Sequence, residues 1–370
     1  MSEARITNLS NASNTGGPTI SGITTFSSPY FFIPPVGDTA ERPENAEKGS
    51  IRFNTDSKNL EYYRGDGIGL TEVEASEEGD GSARGIFMGG YNPFKDHLQY
   101  KSITSNATGV DFGDLSSAYK GNAGCSSKTR ALSIGGYNNN QMNVIEYVEI
   151  MALGDATDWG DLSAVGSNAA AVSNGTRGIV GGFAGTPAYL NTIEYLTFTS
   201  VGSVSDFGDL TVASGNGSKT GCQSTTRGVF PFRNTSGALF GGIQYITMAS
   251  TGNAASFGDL VNTGASYQGC SNPIRGLMGL GTPGLDVIEY ITIATTGNAQ
   301  DFGDLTVGRW WGGAVSSSTR AMFGGGTAGP ADTTTCDKVE IATTGNATDW
   351  GDLAQAIRDC GAASNAHGGL

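Results

Sequence analysis

The residue types that most often do chemistry are scarce in this sequence. It contains two histidines, His97 and His367, and five cysteines with no Cys-x-x-Cys spacing. Histidine is a common general base and, with cysteine, a common zinc ligand, so the chain has little material for either role. An odd cysteine count without that spacing also indicates neither a disulfide framework nor a zinc motif. We therefore expect no catalytic residue, no metal and no cofactor.

Carboxylates are the next candidate chemistry, and they recur along the chain. Six blocks of the form Phe/Trp-Gly-Asp-Leu each carry one Asp, and five of them have another Asp three residues earlier. Paired carboxylates beside glycine could hold calcium, although this spacing lacks a full ligand set. A residue repeated six times is usually architectural, so we favour turns capped by Asp or a repeated Arg–Asp pair. The block aspartates are Asp114, Asp161, Asp209, Asp259, Asp304 and Asp352.

Two further motifs match known signatures by their letters alone. Asp-Phe-Gly begins at Asp111, Asp206 and Asp301, but the other sequence elements of a kinase are missing. Residues 279–284 match Gly-x-Gly-x-x-Gly, yet they contain proline and precede a strand, which is the wrong context for a dinucleotide site. A chain with 58 glycines among 370 residues is expected to contain such matches.

The spacing of the blocks shows which elements must position these residues. Successive block leucines lie 47, 48, 50, 45 and 48 residues apart. A second marker, an arginine that opens an apolar stretch, recurs at spacings of 46, 47, 50, 48 and 45. A period of 40–50 residues rich in short strands is typical of propeller blades. The repeated arginines are Arg84, Arg130, Arg177, Arg227, Arg275 and Arg320.

Each repeat holds four short strands, which predicts an all-β, six-bladed propeller with four-stranded blades over residues 79–370. The first blade begins at its second strand, and residues 361–365 resemble the missing first strand. We therefore expect this tail to pair with residues 82–90 and close the ring, since an open ring leaves an unpaired edge. The block aromatics are predicted to pack in the core. Cys125, Cys222, Cys270 and Cys336, whose equivalents in other repeats are valine or other aliphatic residues, are predicted to be small buried side chains, whereas Cys360 has no such set of equivalents.

The first 78 residues do not share the repeat. Residues 1–36 are predicted to be an extended arm, which ends in an apolar stretch bounded by prolines. Residues 37–78 are predicted to be a small β module and linker, because residues 50–54 and 59–63 alternate apolar and polar side chains around a polar turn.

The repeat resembles that of kelch-type β-propellers. Residues 320–325 look like the kelch strand that ends in a glycine pair, while Tyr290 and Phe302 look like its later Tyr and Trp positions. The resemblance covers residues 84–370. It departs in the fourth blade, where residues 230–232, Phe-Pro-Phe, replace the glycine pair.

A second resemblance concerns the arm and the small module. Residues 49–56 and 60–63 look like a β module of tail-fibre, neck and other virion proteins of tailed bacteriophages, and the tandem repeats resemble those proteins too. Residues 21–27 are similar to arms of such proteins in phages of marine cyanobacteria.

The phage resemblance implies a non-enzymatic virion structural protein of tail-fibre, neck or decoration type, assembled in the host cytoplasm and present as a homo-oligomer within the particle. It implies that the arm docks to other virion proteins. The candidate docking residues are Tyr30, Phe31, Phe32 and Ile33. The propeller would then bind a host-surface glycan, a receptor or another partner.

Residues that break the repeat are the best candidates for that binding, because loops on a rigid scaffold often carry it. Tyr119, Tyr267, Trp310 and Trp311 lie in connections between blades, where the alternative is local packing. The net charge of −14 argues against nucleic-acid binding, and the lack of a long apolar run argues against membrane insertion. The alternatives are a kelch-type protein-interaction adaptor and, less favoured, a carbohydrate-active propeller enzyme, although the Ser-x-Asp-x-Gly-x-x-Trp boxes of sialidases are absent.

Overall fold

In the computed structural model of the protein, the chain forms two units. The structure describes residues 34–42, 50–56, 60–63, 70–73, 83–186, 188–215, 219–231 and 241–370. Contacts divide the chain into Met1–Ser76 and Glu77–Leu370. The described residues contain β-strands and no helix, so none of them forms a helix that could cross a membrane. The predicted docking residues, Tyr30, Phe31, Phe32 and Ile33, lie outside the described residues.

The first unit contains a four-stranded sheet. Its strands are β1 (Val36–Gly37), β2 (Ile51–Asn54), β3 (Leu60–Tyr63) and β4 (Leu70–Val73). The predicted hairpin is confirmed, because β2 and β3 pair antiparallel, whereas β1 adds to β2 in parallel. Glu61 is fully buried in this sheet and is held by Arg42 at 2.6 Å and Arg52 at 3.1 Å. Two cations around one buried carboxylate compensate its desolvation.

The second unit confirms the predicted six-bladed, four-stranded propeller. In blades one to three, from the innermost strand outward, the strands are β30 (Gly361–Ser364), β5 (Arg84–Gly90), β6 (Lys95–Ser102) and β7 (Val110–Asp114); β8 (Ala123–Ser126), β9 (Arg130–Asn138), β10 (Asn140–Glu149) and β11 (Thr157–Asp161); β12 (Ala170–Ser173), β13 (Arg177–Gly181), β14 (Thr192–Thr197) and β15 (Ser205–Asp209).

Blades four to six follow the same order. Their strands are β16 (Cys222–Gln223), β17 (Arg227–Pro231), β18 (Gly242–Thr247) and β19 (Ala255–Asp259); β20 (Gln268–Ser271), β21 (Arg275–Gly279), β22 (Val287–Thr292) and β23 (Gln300–Asp304); β24 (Gly313–Ser316), β25 (Arg320–Gly324), β28 (Thr335–Glu340) and β29 (Thr348–Asp352). A short hairpin of β26 (Thr327–Ala328) and β27 (Ala331–Asp332) extends blade six.

The C-terminal strand closes the ring as predicted. β30 pairs antiparallel with β5, with Gly361 opposite Met88 and Ser364 opposite Gly85. The innermost strands are composed mostly of small residues because six of them converge on one axis. At Gly124, for example, an added Cβ would lie 2.1 Å from the carbonyl oxygen of Ala362. The axis therefore favours Gly, Ala, Ser and Cys, and the larger residues of these strands are Val172, Val315, Gln223 and Gln268.

The block aromatics form the core between the outer strands, as predicted, in five blades. Each ring meets the tyrosine of the neighbouring third strand edge-on, at centroid distances of 5.4–6.1 Å. In blade six Lys338 replaces the tyrosine, its ammonium lies 3.8 Å from the Trp350 ring centroid, and this ring stays partly exposed. The buried block aromatics are Phe112, Trp159, Phe207, Phe257 and Phe302.

The repeated arginines tie each blade to the next. Arg275 lies over the ring of Tyr290 at 4.9 Å and donates to the carbonyl oxygens of Ile341 and Ala342 in blade six. Arg320 makes the closing contact, from blade six to the Thr104 carbonyl of blade one. The expectation of a repeated Arg–Asp pair was therefore wrong, because a partly buried aromatic ring and a carbonyl of the next blade take up each guanidinium.

The block glycines form the second tie between blades. Gly303 has φ +144°, and a Cβ there would lie 2.4 Å from the carbonyl oxygen of Gly345 in the next blade. The Gly345 N–H in turn donates to the Phe302 carbonyl at 2.8 Å. The same approach occurs at four other blocks, with Cβ distances of 2.2–2.5 Å at Gly113, Gly160, Gly208 and Gly258.

Removing the closing strand should destabilise the whole ring. We expect deletion of residues 361–370 to lower the melting temperature by on the order of 10 °C, because β5 loses its pairing partner and the innermost strands β8 and β24 lose a packing neighbour. Deletion of residues 366–370 alone, which keeps β30, should lower it by much less. Differential scanning calorimetry measures both, and equal melting temperatures for the longer deletion and the intact chain would contradict closure by β30.

The close approach at the block glycine should be visible in unfolding free energies. Gly303→Ala is expected to cost about 2 kcal/mol more than Gly345→Ala, because a Cβ at Gly345 meets nothing within 4 Å. Both glycines have positive φ, so the pair separates the steric approach from most of the backbone strain. Urea denaturation of the two variants provides the comparison, and equal losses would show that the approach is unimportant.

Candidate binding face

One end of the propeller gathers the connections that enter the innermost strands and the loops that join second to third strands. We call this end the connection face. In the five blades whose second-to-third-strand loop the structure describes, the connection meets that hairpin through an isolated bridge. The bridges join Tyr91 with Arg358, Lys120 with Tyr137, Ser167 with Ala184, Ala265 with Thr282, and Trp310 with Thr327. Because consecutive strands of a blade run in opposite directions, all these segments lie on the same face.

The buried carboxylates and amides of the third strands form hydrogen bonds between blades at this end. In every blade one such side chain accepts the backbone N–H that follows, or nearly follows, the block leucine of the preceding blade, at 2.8–3.3 Å. These side chains are Gln99, Glu146, Glu194, Gln244, Glu289 and Asp337. The sequence carries a signal for this role that the analysis of motifs above did not use, since the position is Glu, Gln or Asp in all six repeats. The six groups act as a scaffold.

Two of the four predicted contact residues are core residues. Tyr119 is fully buried and donates its hydroxyl to Glu146 at 2.7 Å, while Tyr267 is 2% exposed and donates to the Asn262 carbonyl at 3.0 Å. Burial raises the pKa of both phenols. Their placement corrects the expectation for these two positions, because a ring enclosed by neighbouring blades offers no area to a partner.

Trp310 and Trp311 are partly exposed on the connection face. Their rings meet edge-on at 6.1 Å, and Trp311 adopts a left-handed φ of +64°. The guanidinium of Arg358 lies between two rings, 5.8 Å from Trp311 and 5.1 Å from Tyr91. Contact with a partner at this tryptophan pair stays a prediction.

A pocket of about 870 Å³ opens on the same face between the second and third blades. Its polar and aromatic lining comes from Lys120, Tyr137, Gln141, Asn168 and Tyr189. Lys120, Gly121 and Asn168 belong to connections, whereas Tyr137 lies near the end of β9 and Tyr189 in the loop between β13 and β14. The pocket brings together residues that the sequence analysis did not select.

The two pocket tyrosines are held by their surroundings. A Cβ on Gly215 would lie 2.4 Å from Cδ1 of Tyr189, so glycine is needed for this ring to lie where it does. The backbone of Tyr137 exchanges two hydrogen bonds with Lys120, at 2.8 and 3.2 Å, and its ring lies 6.2 Å from that of Phe94. The pocket is therefore preformed.

A small charged cluster lies beside the pocket. Asp359 is paired with Lys120, at 3.3 Å, and with the buried ammonium of Lys219. Burial alone would raise the pKa of Asp359, but the two ammonium groups outweigh it and hold this pKa below its ordinary value. The carboxylate therefore stays ionised, and the cluster carries two positive charges against one negative charge.

The sequence offered one signal for this pocket. Strands β9 and β10 contain nine and ten residues, against five and six for the equivalent strands of the third blade. The segment itself is not longer, since Arg130 and Tyr147 lie 17 residues apart against 18 for Arg177 and Tyr195 in the third blade, but more of its residues pair. The sequence signal is the run Asn138, Asn139 and Asn140, because asparagine favours tight turns, and here it allows the two strands to pair as far as Tyr137 and Gln141.

The opposite end of the axis is filled. A ring of serines, interrupted by Gln223, surrounds the axis, and each hydroxyl donates to the carbonyl of the neighbouring innermost strand at 2.7–2.8 Å. His367, on the C-terminal tail, lies against this ring with Nε2 3.1 Å from the Ser126 carbonyl, and its Nδ1 accepts the Gly369 N–H at 3.1 Å. Both nitrogens of the neutral imidazole are thus satisfied.

The predicted burial of Cys125, Cys222, Cys270 and Cys336 is confirmed, and Cys360 is buried as well. All five are buried and unpaired by disulfides, and burial raises the pKa of Cys125, Cys222, Cys336 and Cys360 to about 12. Such thiols are poor nucleophiles at neutral pH. Across the described ranges, no group of three or more His, Cys, Asp or Glu side chains is placed to hold a metal ion.

Comparison with protein-family models and curated protein sequences identified no relative of the chain. No protein-family model matches the chain, and no curated protein sequence matches it significantly.

The buried imidazole should make stability depend on pH. Burial lowers the pKa of His367 from 6.5 to about 4, so between these values the unfolded chain binds a proton that the folded chain does not. Its contribution is complete above pH 6.5 and is lost as the pH falls toward 4, by up to about 3 kcal/mol. His367→Gln should flatten this part of the curve of unfolding free energy against pH.

The other histidine provides the control for this measurement. His97→Gln removes an imidazole that lies 3.3 Å from Asp111, away from the axis, and should leave the loss on acidification intact. If His367→Gln and the intact chain lose stability in parallel from pH 6.5 to 4, His367 is not the responsible group.

Proposed function

We propose that this protein is a non-enzymatic binding component of a tailed-phage particle, displayed as a propeller by its N-terminal region. The observation that carries the binding role is the preformed pocket on the connection face, lined by Tyr137, Tyr189 and Lys120. Pockets with aromatic walls and a few polar groups are typical ligand sites. The repeated polar residues are occupied in junctions between blades, which leaves the irregular loops for recognition.

The particle assignment has a different basis. It comes from the resemblance of residues 21–27, 49–56 and 60–63 to arms and modules of phage virion proteins, including those of marine cyanobacteria. In this proposal the arm docks through Tyr30, Phe31, Phe32 and Ile33 to other virion proteins, several copies assemble on one particle, and assembly takes place in the host cytoplasm. The propeller then faces the host surface.

A kelch-type interaction adaptor is the competing function. It fits the closed propeller with a pocket on its connection face equally well, because such a face also suits a peptide or protein partner. It differs in requiring no particle and no docking arm. Association with virions therefore separates the two functions.

Particle association can be tested with antibody against the full chain. We expect the protein in mass spectra of density-purified virions and antibody labelling at a regular position on imaged particles. A chain in which residues 30–33 are replaced by serine should retain its melting temperature but lose incorporation, whereas Lys128→Met, an exposed change in the propeller, should incorporate normally. Absence of the intact chain from purified virions would contradict the particle role.

A further inference from the structure

The pocket between the second and third blades contains the groups that recognise a sugar ring. Tyr137 and Tyr189 offer aromatic faces, which suit the C–H faces of a pyranose. The amides of Gln141 and Asn168 offer hydrogen-bond donors and acceptors for hydroxyl groups. The volume of about 870 Å³ is within the range of small-molecule sites, and it leaves room for more than one ring.

One polar atom of this lining lacks a hydrogen bond within the part of the chain that the structure describes. Gln141 Oε1 is shielded from solvent and has no hydrogen-bond partner among the described residues. A shielded carbonyl oxygen without a donor costs free energy, which a ligand hydroxyl can recover. Asn168 also lines the pocket, adopts a φ of +52° and donates from Nδ2 to the hydroxyl of Ser167 at 3.2 Å. Sugar hydroxyls can satisfy both amides.

The charge at the pocket selects among sugars. Among the described residues that line the pocket, Lys120 is the one with a cationic side chain, and this side chain is 28% exposed. Its partner Asp359 is shared with Lys219, so one positive charge of the cluster remains uncompensated. In a chain of net charge −14, a local positive site is a specific feature that attracts an anionic group.

We propose that this pocket binds an acidic saccharide, with a pyranose ring on the tyrosine faces and its carboxylate at the Lys120 ammonium. The inference rests on the binding part of the proposed function and names its ligand class. It does not depend on the particle. The Lys120 ammonium lies 4.2 Å from the ring centroid of Tyr91 and is also paired with Asp359. Both contacts orient the ammonium.

The probes are acidic oligosaccharides, each compared with its own methyl ester, which lacks the negative charge. Trimers of glucuronate, galacturonate and mannuronate, together with sialyl-lactose, are compared with their methyl esters by isothermal titration with the full chain. We expect at least one acid to bind, its methyl ester to bind at least tenfold more weakly, and the affinity to fall as salt is added.

Variants then locate the site. Lys120→Met should weaken binding of the acid at least tenfold while leaving that of its ester unchanged, and Asp359 keeps its second cation, Lys219, in this variant. Tyr189→Ala should weaken both. Lys128→Met is the matched control, since it removes the same charge from an exposed position outside the pocket lining and should bind normally. Melting temperatures verify that each variant is folded.

Three results would overturn the inference. They are no binding of any acidic probe at millimolar concentration, equal affinity for acid and ester, and binding that survives both Lys120→Met and Tyr189→Ala. Each can occur while the chain is still found on purified virions, so failure of the ligand class is distinct from failure of the particle role. Acid binding by a chain absent from virions would retain this inference and reject the particle.

Discussion

The pairing of β30 (Gly361–Ser364) with β5 (Arg84–Gly90) is the interaction on which the rest of the structure depends. The strand ladders of the other five blades are each built from strands that follow one another in the chain, so all six junctions between neighbouring blades exist together only when this pairing brings the end of the chain back to the first blade. Arg320, for example, reaches the Thr104 carbonyl, and Gln99 accepts the Gln355 N–H, across the junction that closure creates. The serine ring around the axis is completed by Ser364 in the same step. Closure therefore couples local repeats into one cooperative unit.

Closure also brings the end of the chain to both faces of the propeller. Arg358 and Asp359, just before β30, enter the connection face, where Asp359 joins Lys120 and Lys219. His367, just after β30, covers the axis at the other end. The electrostatic character of the pocket is thus set by a residue distant in sequence. Within such a ring, the binding face and the stability of the fold share one segment.

Most of the propeller could be predicted because its determinants repeat. The spacing of the blocks and arginines indicated blade number, and the position of Arg84 within its repeat indicated where the closing strand must come from. Burial of the block aromatics and cysteines followed from which residue types exchange at equivalent positions. The partners of the arginines could not be read in the same way, because a guanidinium can be satisfied by an Asp, an aromatic ring or a carbonyl, and the sequence pattern does not distinguish them.

The binding face was harder to predict, and one adjacent pair of residues shows why. Tyr119 and Lys120 are neighbours in the same connection, yet the tyrosine is fully buried and the lysine lines the pocket. In extended chain, successive side chains point to opposite sides, so a shift of one residue exchanges core and surface. The type of residue favoured Tyr119 as a contact, whereas the pairing of Lys120 with Tyr137 decides which side chain faces outward.

The residues of the repeat and the residues of the loops between second and third strands have separate structural roles. The glycines, arginines and carboxylates of the repeat make contacts whose geometry tolerates little change, as the 2.2–2.5 Å approaches of the block glycines illustrate. The loops between second and third strands take no part in those approaches, so the hairpin of β9 and β10 can pair more of its residues and carry Tyr137 and Gln141 onto the connection face without moving a junction. The extent of pairing in these loops can therefore vary blade by blade while closure is preserved. A pocket on such a face is built from the side chains and pairing of one or two hairpins above a ring that stays the same, which is why the residues that line it lie outside the repeated contacts.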